Sequence, residues 1–203
     1  MTIDDIMASA PVIPVLIVDD VAHAVPIAEA LVGGGLRMLE VTLRTPVALN
    51  VIAAMRTVEG AIVGAGTVLN EADLDAALAA GSAFIVSPGL TEPLARAAIA
   101  AGVPYLPGVA NAGDIMRGLD LGLERFKFFP AAAAGGLPAL RALAAPFGRV
   151  RFCPTGGIGE ADVALWLAER SVACVGGSWV VPKGVPDGAT IRANAVRASA
   201  LAR

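Results

Sequence analysis

The chain has 203 residues, 56% hydrophobic and 16% charged, enough for one domain with a substantial core and too short for two ordinary ones, so residues 1–203 are read as a single domain. A net charge of −3, one tyrosine, two tryptophans and no run of Lys or Arg argue against a nucleic-acid partner. The mean hydropathy of +0.72 does not imply a membrane span: the longest stretch without Asp, Glu, Lys or Arg, Ala97 to Gly113, is interrupted by Gly102, Pro104, Pro107 and Gly108, and a span needs about 20 apolar residues.

The opening residues, MTIDDIMASAP, are expected to form a short N-terminal helix; with Asp4 and Asp5 and no basic cluster they resemble neither a secretory leader nor a transit peptide, and a cytoplasmic location is expected. Short runs rich in Val, Ile and Phe then alternate with longer alanine-rich amphipathic stretches. The strand candidates in chain order are VIPVLIV (Val12 to Val18), LRMLEVTL (Leu36 to Leu43), AIVGAGT (Ala61 to Thr67), AFIVSPG (Ala83 to Gly89), PYLPGV (Pro104 to Val109), RFKFFP (Arg125 to Pro130), RFCPTGG (Arg151 to Gly157) and ACVGGSW (Ala173 to Trp179). Helical stretches fill the gaps. The segment from Lys183 to Arg203 reads as a Pro- and Gly-rich turn and a final helix. His23, the single histidine, falls in a helix-like stretch (Val21 to Val32), and Cys153 and Cys174 lie in apolar segments without a CxxC pair, so they read as core residues and no metal site is expected.

Near-continuous hydrophobic strands indicate burial on both faces, as in parallel sheets covered by helices. Eight such units at about 25 residues each favour a compact (β/α)₈ TIM barrel over an open doubly wound sheet, which would carry a Gly-rich turn after its first strand where this chain has Val18-Asp19-Asp20. Barrel active sites lie at the C-terminal ends of the strands.

The polar residues near those ends are Glu40, Thr42 and Arg44, Thr67, Ser87, Lys127, Thr155 and Ser178. Lys127 stands among Phe126, Phe128 and Phe129, where burying an ammonium costs several kcal/mol. It is either a lysine that snorkels to water or a nucleophile able to form a Schiff base. Replacing it with alanine is expected to relieve a desolvation cost and leave a modest cavity. At a period of two it shares a face with Arg125 and Phe129, as Glu40 does with Thr42 and Arg44. Glu40 is the one carboxylate inside a predicted strand, there for an ion pair or for proton transfer. Gly156-Gly157 and Gly176-Gly177-Ser178 follow or end the seventh and eighth strands; they are either ordinary turns or the two loops that build a phosphate site in such barrels. Together these groups suit a 2-keto acid, with Arg44 on the carboxylate, Lys127 attacking the ketone and Glu40 moving protons. The alternative outside catalysis is a phospholigand-binding barrel in which Lys127 only pairs with an anion.

The segments PVIPVLIV, LEVTLRT, IVGAGTVL, SPGLTEP, FKFFPA, RFCPTGGI and GGSW resemble, in that order and from about residue 11 to residue 182, the 2-keto-3-deoxy-6-phosphogluconate (KDPG) aldolases, also called 4-hydroxy-2-oxoglutarate aldolases. The resemblance implies a Schiff base on Lys127, with Glu40 as general acid and base. It implies substrate carboxylate binding by Arg44, Thr67 and the backbone of the Gly64 to Thr67 turn, packing of Phe129 near the substrate, and phosphate binding by Gly156, Gly157 and Ser178. It further implies a homotrimer with no metal or organic cofactor, releasing pyruvate and glyceraldehyde 3-phosphate in the Entner–Doudoroff pathway. Cleavage of 4-hydroxy-2-oxoglutarate to pyruvate and glyoxylate is the alternative reaction. Thr155 puts a hydroxyl where phosphogalactonate-type aldolases carry an apolar residue, which favours the gluconate epimer. Two loops depart from the family pattern: Ala110-Asn111, where Ser or Thr usually follows PGV, and Ala132-Ala133-Ala134, where Glu-Ala-Asn or Glu-Ala-Ser is common after FFPA.

Overall fold

A computed structural model describes residues 1–202; Arg203, the end of the C-terminal stretch read as a turn and helix, lies outside the described residues. Helix α1 (Ile3–Ser9) starts at a capping box in which the Thr2 hydroxyl accepts from the Asp5 amide and the Asp5 carboxylate accepts from the Thr2 amide. Strands β1 (Val12–Leu16), β2 (Met38–Thr42), β3 (Ile62–Gly66), β4 (Ile85–Val86), β5 (Tyr105–Leu106), β6 (Gly108–Val109), β7 (Arg125–Phe128), β8 (Arg151–Pro154) and β9 (Val175–Gly177) fall inside the eight expected regions. PYLPGV supplies two of them. Pro107 has no N–H to continue a ladder, so Tyr105 and Leu106 pair with β4 while Gly108 and Val109 pair with β7.

All strand pairs are parallel, in a six-stranded sheet of order β5-β4-β3-β2-β1-β9 and a three-stranded sheet of order β6-β7-β8. Isolated bridges join Phe152 to Val172 and Thr155 to Gly176, between β8 and the β9 segment. Between the strands run α2 (Ala24–Gly33), α3 (Ala48–Met55), α4 (Glu71–Ala79), α5 (Glu92–Ala100), α6 (Ala112–Asp120), α7 (Gly136–Ala144) and α8 (Val163–Leu167), with α9 (Gly188–Ser199) after the last strand. The architecture is α/β with curled parallel sheets.

Strand alternation divides the core in two. Leu39, Val41, Val63, Ala65, Phe126, Phe128 and Phe152 pack outward against the helices, in one cluster with Leu31, Ile52 and Leu94. Ile13, Met38, Phe84, Val86, Leu106 and Cys153 face the other way and form a second cluster with Cys174 and with Ile6 and Met7 of α1. Helix α1 thus covers the apolar floor beneath the inner face, which deprives any polar group on that face of water from below.

Candidate active site

The two phenylalanines that flank Lys127 decide where it points. Phe126 and Phe128 are fully buried on the outer face of β7, against Phe152 and Trp166 with ring centroids 6.5 Å apart in each pair, so the pleat turns Lys127 inward. On β2, Leu39 and Val41 go outward and turn Glu40 inward in the same way. Although β2 and β7 belong to different sheets, Lys127 Nζ donates to Glu40 Oε1 at 2.9 Å, across a sequence separation of 87 residues. Both residues are buried, at 5% and 3% exposure, and the ammonium lies 5.4 Å from the centre of the Phe129 ring, a cation–π distance.

Two glycines keep the inner face of β3 clear, one for Phe84 and one for this pair. The inner face of that strand is Ile62, Gly64 and Gly66. A Cβ on Gly64 would stand 2.4 Å from the Phe84 ring, and a Cβ on Gly66 would stand 2.2 Å from Glu40 Oε1. The carboxylate therefore lies where any other residue at position 66 would put its side chain. Gly66 has no left-handed φ, so alanine suits its backbone and the consequence of a methyl there is steric. We expect Gly66→Ala to fold normally and to lower kcat by about 10²-fold with little change in KM, since a misplacement of about 1 Å can cost that much. Circular dichroism and steady-state kinetics check this, and an unchanged kcat would remove Gly66 from the site. The strand pattern over Ala61 to Thr67 does not by itself single out Gly66; the period-two glycines of IVGAGT are the signal for it.

The remaining residues follow the C-terminal ends of the strands, which all lie at one end because the strands are parallel. Arg44 falls in the turn beyond β2, exposed and with no hydrogen bond or ion pair among the described residues, a free cation at the mouth. Thr42, on the Glu40 face, gives its hydroxyl to the Leu16 carbonyl at 2.9 Å. Thr67 has φ 59°, the one non-glycine residue with a positive φ among the described residues, and a β-branched side chain makes that conformation strained. Thr155 is buried beside Gly176, where a Cβ would come 2.2 Å from its Oγ1; that hydroxyl donates to the Cys153 carbonyl at a long 3.3 Å. Gly156 and Gly157 turn with φ 102° and 77°, which only glycine adopts freely. Ser178 is exposed just after β9.

Ser87 does not join this set. Its hydroxyl donates to the Gly89 carbonyl and meets the Tyr105 hydroxyl, each at 2.7 Å, and Tyr105 packs in the outer cluster. Burial, partly offset by the hydrogen bond with Ser87, pushes the Tyr105 phenol up to about 12, so this pair is neutral scaffold.

The two unusual loops are held by backbone. Asn111 caps α6, accepting from the Asp114 amide at 3.0 Å while the Asp114 carboxylate accepts from the Ala110 amide at 3.0 Å. Around the three alanines, Ala131 N–H donates to Thr155 O at 2.8 Å, Ala132 N–H to Gly156 O at 3.0 Å and Ala134 N–H to Pro130 O at 2.8 Å. These backbone bonds close the loop onto the Thr155-Gly156 turn. The Phe129–Pro130 peptide at its start is cis.

A surface depression of about 510 Å³ between α2 and the residues after α3 carries Glu29 and Glu59 but no buried charged pair such as Lys127 and Glu40 form. Among the described residues there is no cluster of three or more His, Cys, Asp or Glu that could hold a metal, and no helix long and apolar enough to cross a membrane.

A protein-family model described as KDPG and KHG aldolase matches residues 3–194. The 2-dehydro-3-deoxy-phosphogluconate aldolase of Zymomonas mobilis is 60% identical over 201 residues, 99% of this chain and 97% of that protein. A crystal structure of the 2-keto-3-deoxy-6-phosphogluconate aldolase of Zymomonas mobilis ZM4 with 3-phosphoglycerate superposes with a TM-score of 0.98, covering 99% of this chain and 96% of that one at 60% identity. A KDPG aldolase from Legionella pneumophila, with pyruvate captured at low pH as a covalent carbinolamine intermediate, is 42% identical with a TM-score of 0.95 over 98% of this chain and 99% of that one.

Proposed function

This chain belongs to the KDPG and KHG aldolase family and is a carbon–carbon lyase, and we propose that Lys127 and Glu40 cleave 2-keto-3-deoxy-6-phosphogluconate to pyruvate and glyceraldehyde 3-phosphate, as in the Entner–Doudoroff pathway. The observation that carries this reading is the buried Nζ–Oε1 contact of 2.9 Å. Glu40 takes a proton from the lysine and frees the amine lone pair to attack the C2 ketone. The carbinolamine loses its hydroxyl as water, with Glu40 returning the proton, and leaves a cationic imine. Glu40 then takes the C4 hydroxyl proton; the C3–C4 bond breaks, its electrons pass to the imine nitrogen, and glyceraldehyde 3-phosphate departs. Protonation of the enamine at C3 and hydrolysis of the imine release pyruvate and restore the amine. No step calls for a metal or organic cofactor.

Arg44 and Thr67 bind the carboxylate, with Phe129 beside the ketone. Gly156, Gly157 and Ser178 bind the phosphate through backbone amides and a hydroxyl, and Thr155 meets the C4 hydroxyl. Its test is Thr155→Val: discrimination in kcat/KM between the gluconate and galactonate epimers should shrink, and an unchanged ratio would remove the residue from that role. A second reading, cleavage of 4-hydroxy-2-oxoglutarate to pyruvate and glyoxylate, is favoured by the family's description and by a catalytic pair that needs only the keto-acid half of the substrate.

The same reading includes a closed (β/α)₈ barrel formed by residues 1–203, supported by the Thr155–Gly176 and Phe152–Val172 bridges on one side and by the single residue, Pro107, between β5 and β6 on the other. A homotrimer working in the cytoplasm on a phosphorylated metabolite follows from the family resemblance, and sedimentation equilibrium tests the trimer. Borohydride added with pyruvate should reduce the imine to a stable adduct on Lys127, located by mass spectrometry. No adduct, or one on Lys183, would overturn the assignment.

A further inference from the structure

We propose that Asn194 and Arg197 of α9 are positioning residues that hold the glycine turn after β8 and the Ser178 segment after β9 in one arrangement, and so set affinity for the substrate's phosphate; this rests on the reading of Gly156, Gly157 and Ser178 as the phosphate site. Glycine turns have no side chains with which to brace themselves, and here Gly156 and Gly157 both take left-handed φ values. The brace comes from a helix distant in sequence. The buried Asn194 amide donates to the Val180 carbonyl at 3.1 Å, two residues beyond Ser178. The Asn194 carbonyl oxygen accepts from Arg197 at 2.6 Å. Arg197 in turn forks onto Glu160, with Nε to Oε1 at 2.6 Å and its terminal nitrogen to Oε2 at 3.2 Å. Glu160 opens the 3₁₀ turn that begins three residues after Gly157, with the buried Ile158 between.

One continuous chain of hydrogen bonds therefore runs from Glu160, three residues past the glycine turn, through α9 to Val180, two residues past Ser178. The helix at its centre is well anchored. Its Asp187 cap accepts from the Ala189 and Thr190 amides, and Gly34 at the end of α2 lets α9 so close that a Cβ there would stand 2.4 Å from that of Ala195. Stability alone does not account for the network: asparagine is a poor helix residue, and the Arg197–Glu160 pair is half exposed, where ion pairs contribute little. Arg197 does hold the Glu160 carboxyl below its usual range, so the link stays charged at neutral pH.

The experiment compares Arg197→Met and Asn194→Ala with Ser178→Ala. For each variant, KM and kcat are measured for 2-keto-3-deoxy-6-phosphogluconate, together with half-saturating pyruvate in borohydride trapping, which involves no phosphate. Both α9 variants should raise KM for the phosphorylated substrate about five- to tenfold, the effect of losing one or two hydrogen bonds, with kcat and the pyruvate value within about twofold of the parent. Equal shifts for substrate and pyruvate would mean general loosening and overturn the proposal, as would an unchanged KM. Arg197→Met, at a half-exposed position, gives the answer even if Asn194→Ala folds poorly. If Ser178→Ala leaves the phosphorylated-substrate KM unchanged, the phosphate-site reading fails instead; a Ser178 effect without an Arg197 effect overturns the brace alone.

Discussion

Lys127→Met is expected to bring turnover below detection, a loss on the order of 10⁶-fold, as when a covalent nucleophile is removed, and to give no borohydride adduct with pyruvate. Its stability should fall as well. The sequence suggests that removing a buried lysine relieves a desolvation cost, but the structure pairs that lysine with an equally buried carboxylate. Taking away one partner leaves the Glu40 carboxyl buried and unmatched, which costs about 3–5 kcal/mol, a large share of the roughly 5–15 kcal/mol that holds a typical domain together. The double variant Lys127→Met/Glu40→Gln should therefore recover most of the urea midpoint while remaining inactive. Cleavage retained in either variant would defeat the nucleophile assignment, and a single variant as stable as the parent would defeat the account of the pair.

Glu40→Gln is expected to lower kcat by about 10²- to 10⁴-fold, the usual worth of a positioned general acid and base. The amide oxygen can still accept from Nζ, so Lys127 keeps its place and pyruvate should still be trapped, though more slowly. Rates of pyruvate methyl-proton exchange should drop in parallel with kcat, because both need a base that takes and returns a proton. A normal exchange rate in this variant would assign proton transfer to another group.

Much of this site was legible before folding. The lysine in RFKFFP and the carboxylate in LEVTLR announce themselves because strand alternation is local: a charged residue between two apolar ones must face away from whatever its neighbours pack against. Strand lengths were less legible. AFIVSPG contributes only Ile85–Val86 to the ladder and PYLPGV divides at Pro107, since a proline interrupts hydrogen bonding whatever the hydrophobic pattern around it. Arg44 was placed on the Glu40 face by the same alternation, but β2 ends at Thr42 and the arginine sits in a turn. Ser87 reads like the other polar strand ends and yet faces outward, toward Tyr105.

By itself, then, the sequence determined the parallel α/β order, the family, and the inward turn of the two residues proposed to carry the chemistry, because each depends on side-chain period and motif within a few positions. Only the tertiary structure decided that Lys127 and Glu40 meet at 2.9 Å, that Gly66 vacates the space the carboxylate fills, and that α9 links Glu160 to Val180. Those facts depend on how the sheets curl and which strands face one another across the interior, and residues 87 positions apart carry no local trace of that distance.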